Sequence, residues 1–229
     1  MLGHDSDIPL FPLNVVLFPG MMLPLHIFEE RYKLMTKECL NSGQPFGVVL
    51  AKSSIDRDRV YFDDLHHIGT TAHIAAVEHL EDNRMNLIAV GQDRFIIKDV
   101  QLGQNGFLIG RVDPFPMQED YSKRIDSLVE KLRPMVKRYI DHLADASGED
   151  LSDATLPTDP AALAYLAGTA VQGPLPDKQK LLAAKSLSTL IADTVNILDR
   201  EDQILTYMLR AYRIHQQVER LPFVDFSLN

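Results

Sequence analysis

The chain has no tryptophan and a single cysteine, Cys39, among its 229 residues. One cysteine cannot close an internal disulfide, so stability has to come from the core, and the composition fits a reducing cytoplasm. No apolar run approaches the ~20 residues needed to span a bilayer. Nothing reads as an export or lipidation signal. A basic block is also missing. The net charge is −9, with 10 Lys+Arg against 15 Asp+Glu up to Pro116 and 13 against 17 beyond it. Nucleic-acid surfaces need clustered cations to replace phosphate counterions, so neither nucleic acid nor membrane is an expected partner. No Gly-x-x-x-x-Gly-Lys-Ser/Thr phosphate loop occurs, and no Gly-x-Ser-x-Gly nucleophile turn.

What is present is ordinary for a globular chain: 45% apolar and 24% charged residues, in a length that suits one large domain or two small ones. The opening run Ile8-Pro9-Leu10-Phe11-Pro12-Leu13-Asn14-Val15-Val16-Leu17-Phe18-Pro19-Gly20 is apolar but studded with proline. Each proline removes a ladder donor, so the run predicts an edge or bulged strand. Further strands are expected at 46–51, 66–80, 85–90, 94–100 and 106–112, with turns at Asp82-Asn83 and Gly91-Gln92-Asp93. Turn residues every ~8–12 positions point to a barrel or sandwich. Phe28, Tyr32, Met35 and Cys39 mark one helix within this half, and Gly43 stands where a cap glycine belongs.

The pattern changes at Asp113-Pro114-Phe115-Pro116, giving an expected division into a barrel domain, 1–116, and a helical domain, 117–229. Ile125, Leu128, Val129, Leu132, Val136, Tyr139, Ile140 and Leu143 keep one helical face, with Pro134 expected to kink or split it. Asp159-Pro160 reads as an N-cap with proline at the first helical position. A helix is expected from Lys178, and a long one over 189–216 whose apolar stripe includes Leu190, Ile191, Val195, Leu198, Ile204, Leu205, Met208 and Tyr212. The apolar tail Leu221 to Phe226 is expected to pack back on the molecule.

Candidate chemistry is sparse. His67, His73 and His79 share strand parity, but a spacing of six along one strand spans about 20 Å, too far for one metal ion. Cys39 lies on an apolar stripe, where cysteine acts as a small hydrophobe. Asp63-Asp64 and Glu29-Glu30 lack the apolar setting that raises a carboxyl pKa for acid catalysis. No catalytic residue, cofactor site or metal site is expected.

The opening run through Tyr32, then Ile68-Gly69-Thr70, Arg84-Met85-Asn86-Leu87-Ile88-Ala89-Val90-Gly91 and Arg94-Phe95, resembles the amino-terminal, substrate-binding domain of the Lon protease family. Leu156-Pro157 and Lys178-Gln179-Lys180-Leu181-Leu182 continue the likeness into the helical half. One departure stands out: where the family commonly places an acidic residue and then an Arg-Leu pair, this chain reads Ala183-Ala184-Lys185 and Leu190-Ile191. The resemblance implies an α+β fold, a small distorted PUA-like β-barrel with one helix followed by a C-terminal helical bundle. It also implies a stand-alone, non-catalytic module that recognises unfolded or partner polypeptide, without ATPase or protease parts and with a separate protease as a conceivable partner. A rival expectation is a small-molecule binder or unrecognised enzyme using a pocket between barrel and helices.

Five residues are the candidate peptide-binding set: Met21, Met22, Glu29, Arg31 and Arg94. Glu29, Arg31 and Arg94 occupy positions that the resemblance says recur in the family. They would either form a polar rim that orients a peptide, or tie the first helix and a strand in place by charge-assisted hydrogen bonds. Met21-Met22 follows the Pro-Gly turn and would either make adaptable apolar contacts or cover the end of the barrel.

Overall fold

The computed structural model describes residues 2–52, 62–118, 123–148 and 155–219. The order of elements is β1 (Ser6–Leu13), β2 (Met22–Ile27), α1 (Glu30–Ser42), β3 (Phe46–Leu50), β4 (Ile68–His79), β5 (Met85–Leu102) and β6 (Leu108–Pro114). The helices α2 (Lys123–Ser147), α3 (Pro160–Ala170), α4 (Leu175–Leu182) and α5 (Leu187–Glu219) follow. This is the expected α+β arrangement of a strand-rich half with one helix, then helices.

The sheet closes on itself. Its strand order is β2-β5-β4-β3-β1-β6, and β5 also pairs with β6. Long β5 makes this possible: one edge follows β4, while the other holds β2 along Met85–Val90 and β6 along Phe95–Leu102. The expected turn at Gly91-Gln92-Asp93 is instead part of this strand. Ala72 pairs with Gly91 and Thr70 with Arg94, so β5 carries one extra residue, a bulge that bends the strand without ending it. The opening strand also differs from expectation. β1 has neighbours on both sides, but β6 pairs only Ser6–Leu10 and β3 only Leu10–Leu13. Pro9 and Pro12 each therefore face one paired neighbour, which is how a strand between two others tolerates missing donors.

Inside the barrel lie Leu10, Val49, Leu65, Phe95, Ile97 and Val112. A Cβ on Gly69 would stand 2.6 Å from the Phe95 ring, so glycine here makes room for the aromatic. Helix α1 ends at Gly43, whose φ of 68° and N–H bond to the Cys39 carbonyl fit the expected glycine cap. Its Met35 and Cys39 cover the barrel beside Phe11, Leu23, Ile27, Met85 and Leu87.

In the helical half, Asp159 caps α3 by accepting from the Ala162 N–H at 2.7 Å, as its sequence position predicts. Helix α2 passes through Pro134 as one element; Pro134 and Glu130 are both exposed, so the carbonyl that loses its partner faces water. The α5 stripe holds only in part: Leu190, Ile191, Val195 and Leu198 are buried, whereas Ile204, Met208 and Tyr212 are exposed. Arg138 and His142 of α2 meet Asp202 at 2.7–2.9 Å, shortly before α2 ends, and the last turns of α5 extend past that end. The tail at 221–226 lies outside the described residues.

The halves share a core. Val16, Phe18 and Leu50 from the barrel half sit among Leu132, Val136, Leu163, Leu181, Leu190 and Leu198. The Phe18 ring stacks on Tyr165 with centroids 5.6 Å apart. Thus alternate residues of the opening run serve different cores: Leu17 belongs to the barrel beneath α1, Val16 and Phe18 to the helices.

Candidate functional site

Beyond the closed ring, β2, the first half of β5 and the second half of β4 form a three-stranded extension. Strand alternation gives it two faces. Leu23, Ile27, Met85, Leu87 and Ala89 turn inward beneath α1. The outward residues fall into three registered rows: Met22–Val90–His73, Pro24–Ile88–Ala76 and His26–Asn86–Glu78. The first two rows are mainly apolar, with Met22 68% and Ile88 41% exposed. The third is a polar ladder: His26 Nδ1 meets Asn86 Oδ1 at 2.8 Å, and Asn86 Nδ2 donates to Glu78 Oε2 at 3.0 Å. A depression of about 480 Å³ runs over Pro24, His26, Ala76, Glu78, Asn86 and Ile88.

The two methionines separate at this point. The chain turns tightly at Phe18-Pro19-Gly20-Met21, with Gly20 at φ 80° and the Met21 N–H bonded to the Phe18 carbonyl. Proline then glycine at the central positions is what a type II turn requires. Gly91 exchanges bonds with this turn, donating to the Met21 carbonyl and accepting from the Gly20 N–H at 3.0 and 2.9 Å. A Cβ on Gly91 would stand 2.3 Å from the Phe18 carbonyl oxygen, so only glycine permits the approach. Met21 consequently packs inward against two cores, and Met22 points out.

Glu29 and Arg31 pair with each other, Arg31 NH2 lying 2.9 Å from Glu29 Oε2, at the entry to α1. Arg31 also lies over the Tyr32 ring, which stacks on Phe11 at 4.0 Å. Of these contacts, the Tyr32–Phe11 stack joins the helix to β1, while the Glu29–Arg31 pair stays local to the helix entry. Arg94 is only 6% exposed. One guanidinium nitrogen donates to the carbonyls of Leu182 and Ala184, both at 2.7 Å, and the group lies over the Phe115 ring at 4.9 Å. Arg94 thus caps the end of α4 and ties β5 to the helices. Burial pulls its pKa down, with Tyr165 opposing, but an arginine starts so high that the cation persists near neutrality. Of its two sequence readings, this geometry matches the tie and leaves no open rim at Arg94.

Among the described residues, no group of three or more His, Cys, Asp or Glu has metal-binding geometry. His67 stacks on Phe62 at 4.0 Å, His73 lies in the outward row with Met22, and His79 pairs with Met85. Burial, aided by Glu38, pushes the Cys39 thiol up to about 11, which removes its nucleophilic form at neutral pH. Depressions of about 410, 480 and 430 Å³ all lie on the barrel half. At the barrel–helix junction, Phe18, Leu163 and Leu181 belong to the shared core.

Sequence reasoning missed Pro24, His26, Asn86, Ile88 and Glu78 as one surface. Parity within Met85–Val90 puts Asn86 and Ile88 on one side, but the cross-strand register that assembles the rows has no local signature.

Among the described residues, no helix is long and apolar enough to cross a membrane. Residues 7–200 match the ATP-dependent protease La (LON) substrate-binding domain family. A Lon protease of Paraburkholderia phytofirmans is 29% identical over 220 residues, covering 93% of this chain and 26% of that protein. Lon protease 2 of Myxococcus xanthus is 27% identical over 203 residues, covering 86% and 24%. The chain thus spans about a quarter of the length of the curated relatives it matches. The fold is shared with the N-terminal domain of Mycobacterium avium complex Lon protease, at TM-score 0.63 and 18% identity over 85% of this chain and 98% of that one. It is shared too with a Lon N-terminal domain protein from Xanthomonas campestris, at TM-score 0.57 and 23% identity over 80% and 92%. With the family match spanning both the barrel and most of the helical half, the chain belongs to the Lon substrate-binding domain family.

Proposed function

We propose that this chain is a non-catalytic, cytoplasmic module that binds unfolded or partner polypeptide on the outward face of the three-stranded extension, and that it hands its clients to a separate protease. The observation that carries the reading is the exposed apolar surface of Met22, Pro24 and Ile88 in a member of a substrate-binding family. Covering the exposed part of Met22 or Ile88 contributes a fraction of the roughly 1.5–3 kcal/mol that full burial of such a side chain gives, before the costs of association. Unbranched Met22 adapts to clients of different shape.

In this reading the molecule divides as 1–116, the barrel that carries the face, and 117–229, the helical half that braces it. Met22 makes the contact. Met21, Glu29, Arg31 and Arg94 hold the surface in shape from behind and from its sides. The net charge of −9 keeps nucleic acid from competing.

Fluorescence anisotropy with labelled, carboxymethylated α-lactalbumin, a permanently unfolded protein, tests this reading. Wild-type protein should bind it, and Ile88→Asp should weaken binding at least tenfold while still melting in one cooperative transition. Equal binding by the variant would place the contact elsewhere.

A further inference from the structure

The outward face has a chemical direction. At one end lie Met22 and Val90, in the middle Pro24, Ile88 and Ala76, and at the other end His26, Asn86 and Glu78. Glu78 makes one polar contact, with the neutral amide of Asn86. Among the described residues neither Glu78 nor Glu81 has an ion pair, while Arg84, the next cation along the chain, faces Asp82 at 3.6 Å. Glu78, Glu81, Asp82 and Arg84 are all exposed, so this end carries a net negative charge that no group among the described residues neutralises. Of the remaining titratable groups here, His26 is held by Asn86, and His73 lies at the far, apolar end.

The spacing is as informative as the charge. Successive rows lie two residues apart on β2 and β5, about 6.6 Å, while on β4 an extra residue between Ile74 and Ala76 lets three residues span the first interval. An extended peptide laid along the strands presents its own alternate side chains at the same interval. We infer that the face selects extended segments with apolar residues at i and i+2 and Lys or Arg at i+4, the cation resting on Glu78. The apolar pair covers the Met22 and Ile88 rows. The cation meets a carboxylate already oriented by Asn86, and an arginine reaches it with two parallel N–H donors. This inference rests on the polypeptide-binding reading of the same face and names the class of segment that the face takes.

The test uses two labelled peptides, Ser-Leu-Ser-Leu-Ser-Lys-Ser and the same sequence with Glu in place of Lys, titrated by anisotropy at low salt and at about 0.5 M salt, where exposed charge pairs are screened. An exposed pair contributes up to ~1 kcal/mol, so the Lys peptide should bind about fivefold more tightly at low salt. The advantage should vanish in high salt and in Glu78→Gln, and reverse in Glu78→Lys. All three proteins should melt alike, because Glu78 is exposed. Equal affinities for both peptides on the wild type, or a Lys preference that survives Glu78→Gln, would overturn the inference while leaving the binding face intact. If neither peptide binds and Ile88→Asp leaves unfolded α-lactalbumin binding unchanged, both the inference and the proposed face fail.

Discussion

The junction between barrel and helices and the outward face of the extension are made from the same strand, with opposite results. Near Gly91 and Arg94, β5 is buried against the opening run and the helices, and its cation is fully committed to two carbonyls. From Met85 to Val90 the same strand covers α1 with one side and leaves Ile88 open on the other. A proline-rich opening run and a bulge separate the two regimes. What distinguishes them is the number of layers: helices stack on the closed ring, whereas among the described residues the extension has a helix on one side only. The difference assigns stability to the junction and recognition to the face, and each can be tested apart from the other.

The largest effects should come from the junction. Phe18→Ala removes a fully buried ring between the halves and should cost about 3–5 kcal/mol by urea denaturation. Arg94→Leu leaves the Leu182 and Ala184 carbonyls without their charged donor and should cost about 3–5 kcal/mol, with Arg94→Lys recovering part of that. An equally stable Arg94→Leu protein would deny the tie between barrel and helices.

A smaller effect appears at high pH. Burial raises the Cys39 thiol from 9.0 to about 11, so the folded protein keeps its proton where the unfolded chain loses it. Stability from this group is complete below pH 9 and is lost as pH rises toward 11, an effect of about 2–3 kcal/mol. Urea titrations of wild type and Cys39→Ala across that window should show their stability difference narrowing by this amount; a constant difference would contradict the buried thiol.

On the face, Ile88→Asp should change binding of unfolded polypeptide by about 1.4 kcal/mol or more, a factor of ten, at a stability cost of about 1–2 kcal/mol for losing a half-buried strand former. The smallest effect belongs to Glu29→Gln, which breaks a partly exposed pair with Arg31 and should cost no more than about 1 kcal/mol in urea denaturation. A loss of several kcal/mol there would move part of the stability from the junction to the start of α1.

Much of this fold is legible in the sequence where the signal is local. The Gly43 cap, the Asp159 N-cap and the change at Asp113-Pro114-Phe115-Pro116 all depend on residues next to one another. Gly91-Gln92-Asp93 misleads because the same residues that make a turn also make a bulge, and only the partners Thr70 and Ala72 decide between them. The prolines of β1 mislead in a related way, since one strand changes partners at Leu10. For the candidate site, Met21 and Met22 were visible as a pair, but which one faces out is fixed by the Phe18–Gly91 contact, seventy-odd residues away along the chain. Arg94 shows the reverse: the sequence offers an ionic residue at the start of an expected strand, and burial turns it into a structural tie.

Amide chemical-shift mapping of the labelled protein, titrated with permanently unfolded polypeptide, tests the division of labour most directly. The account predicts shifts concentrated at residues 22–26, 73–78 and 86–90, with the amides around Arg94, Leu182 and Ala184 unmoved. Shifts centred on the junction, or spread evenly over the molecule, would contradict it.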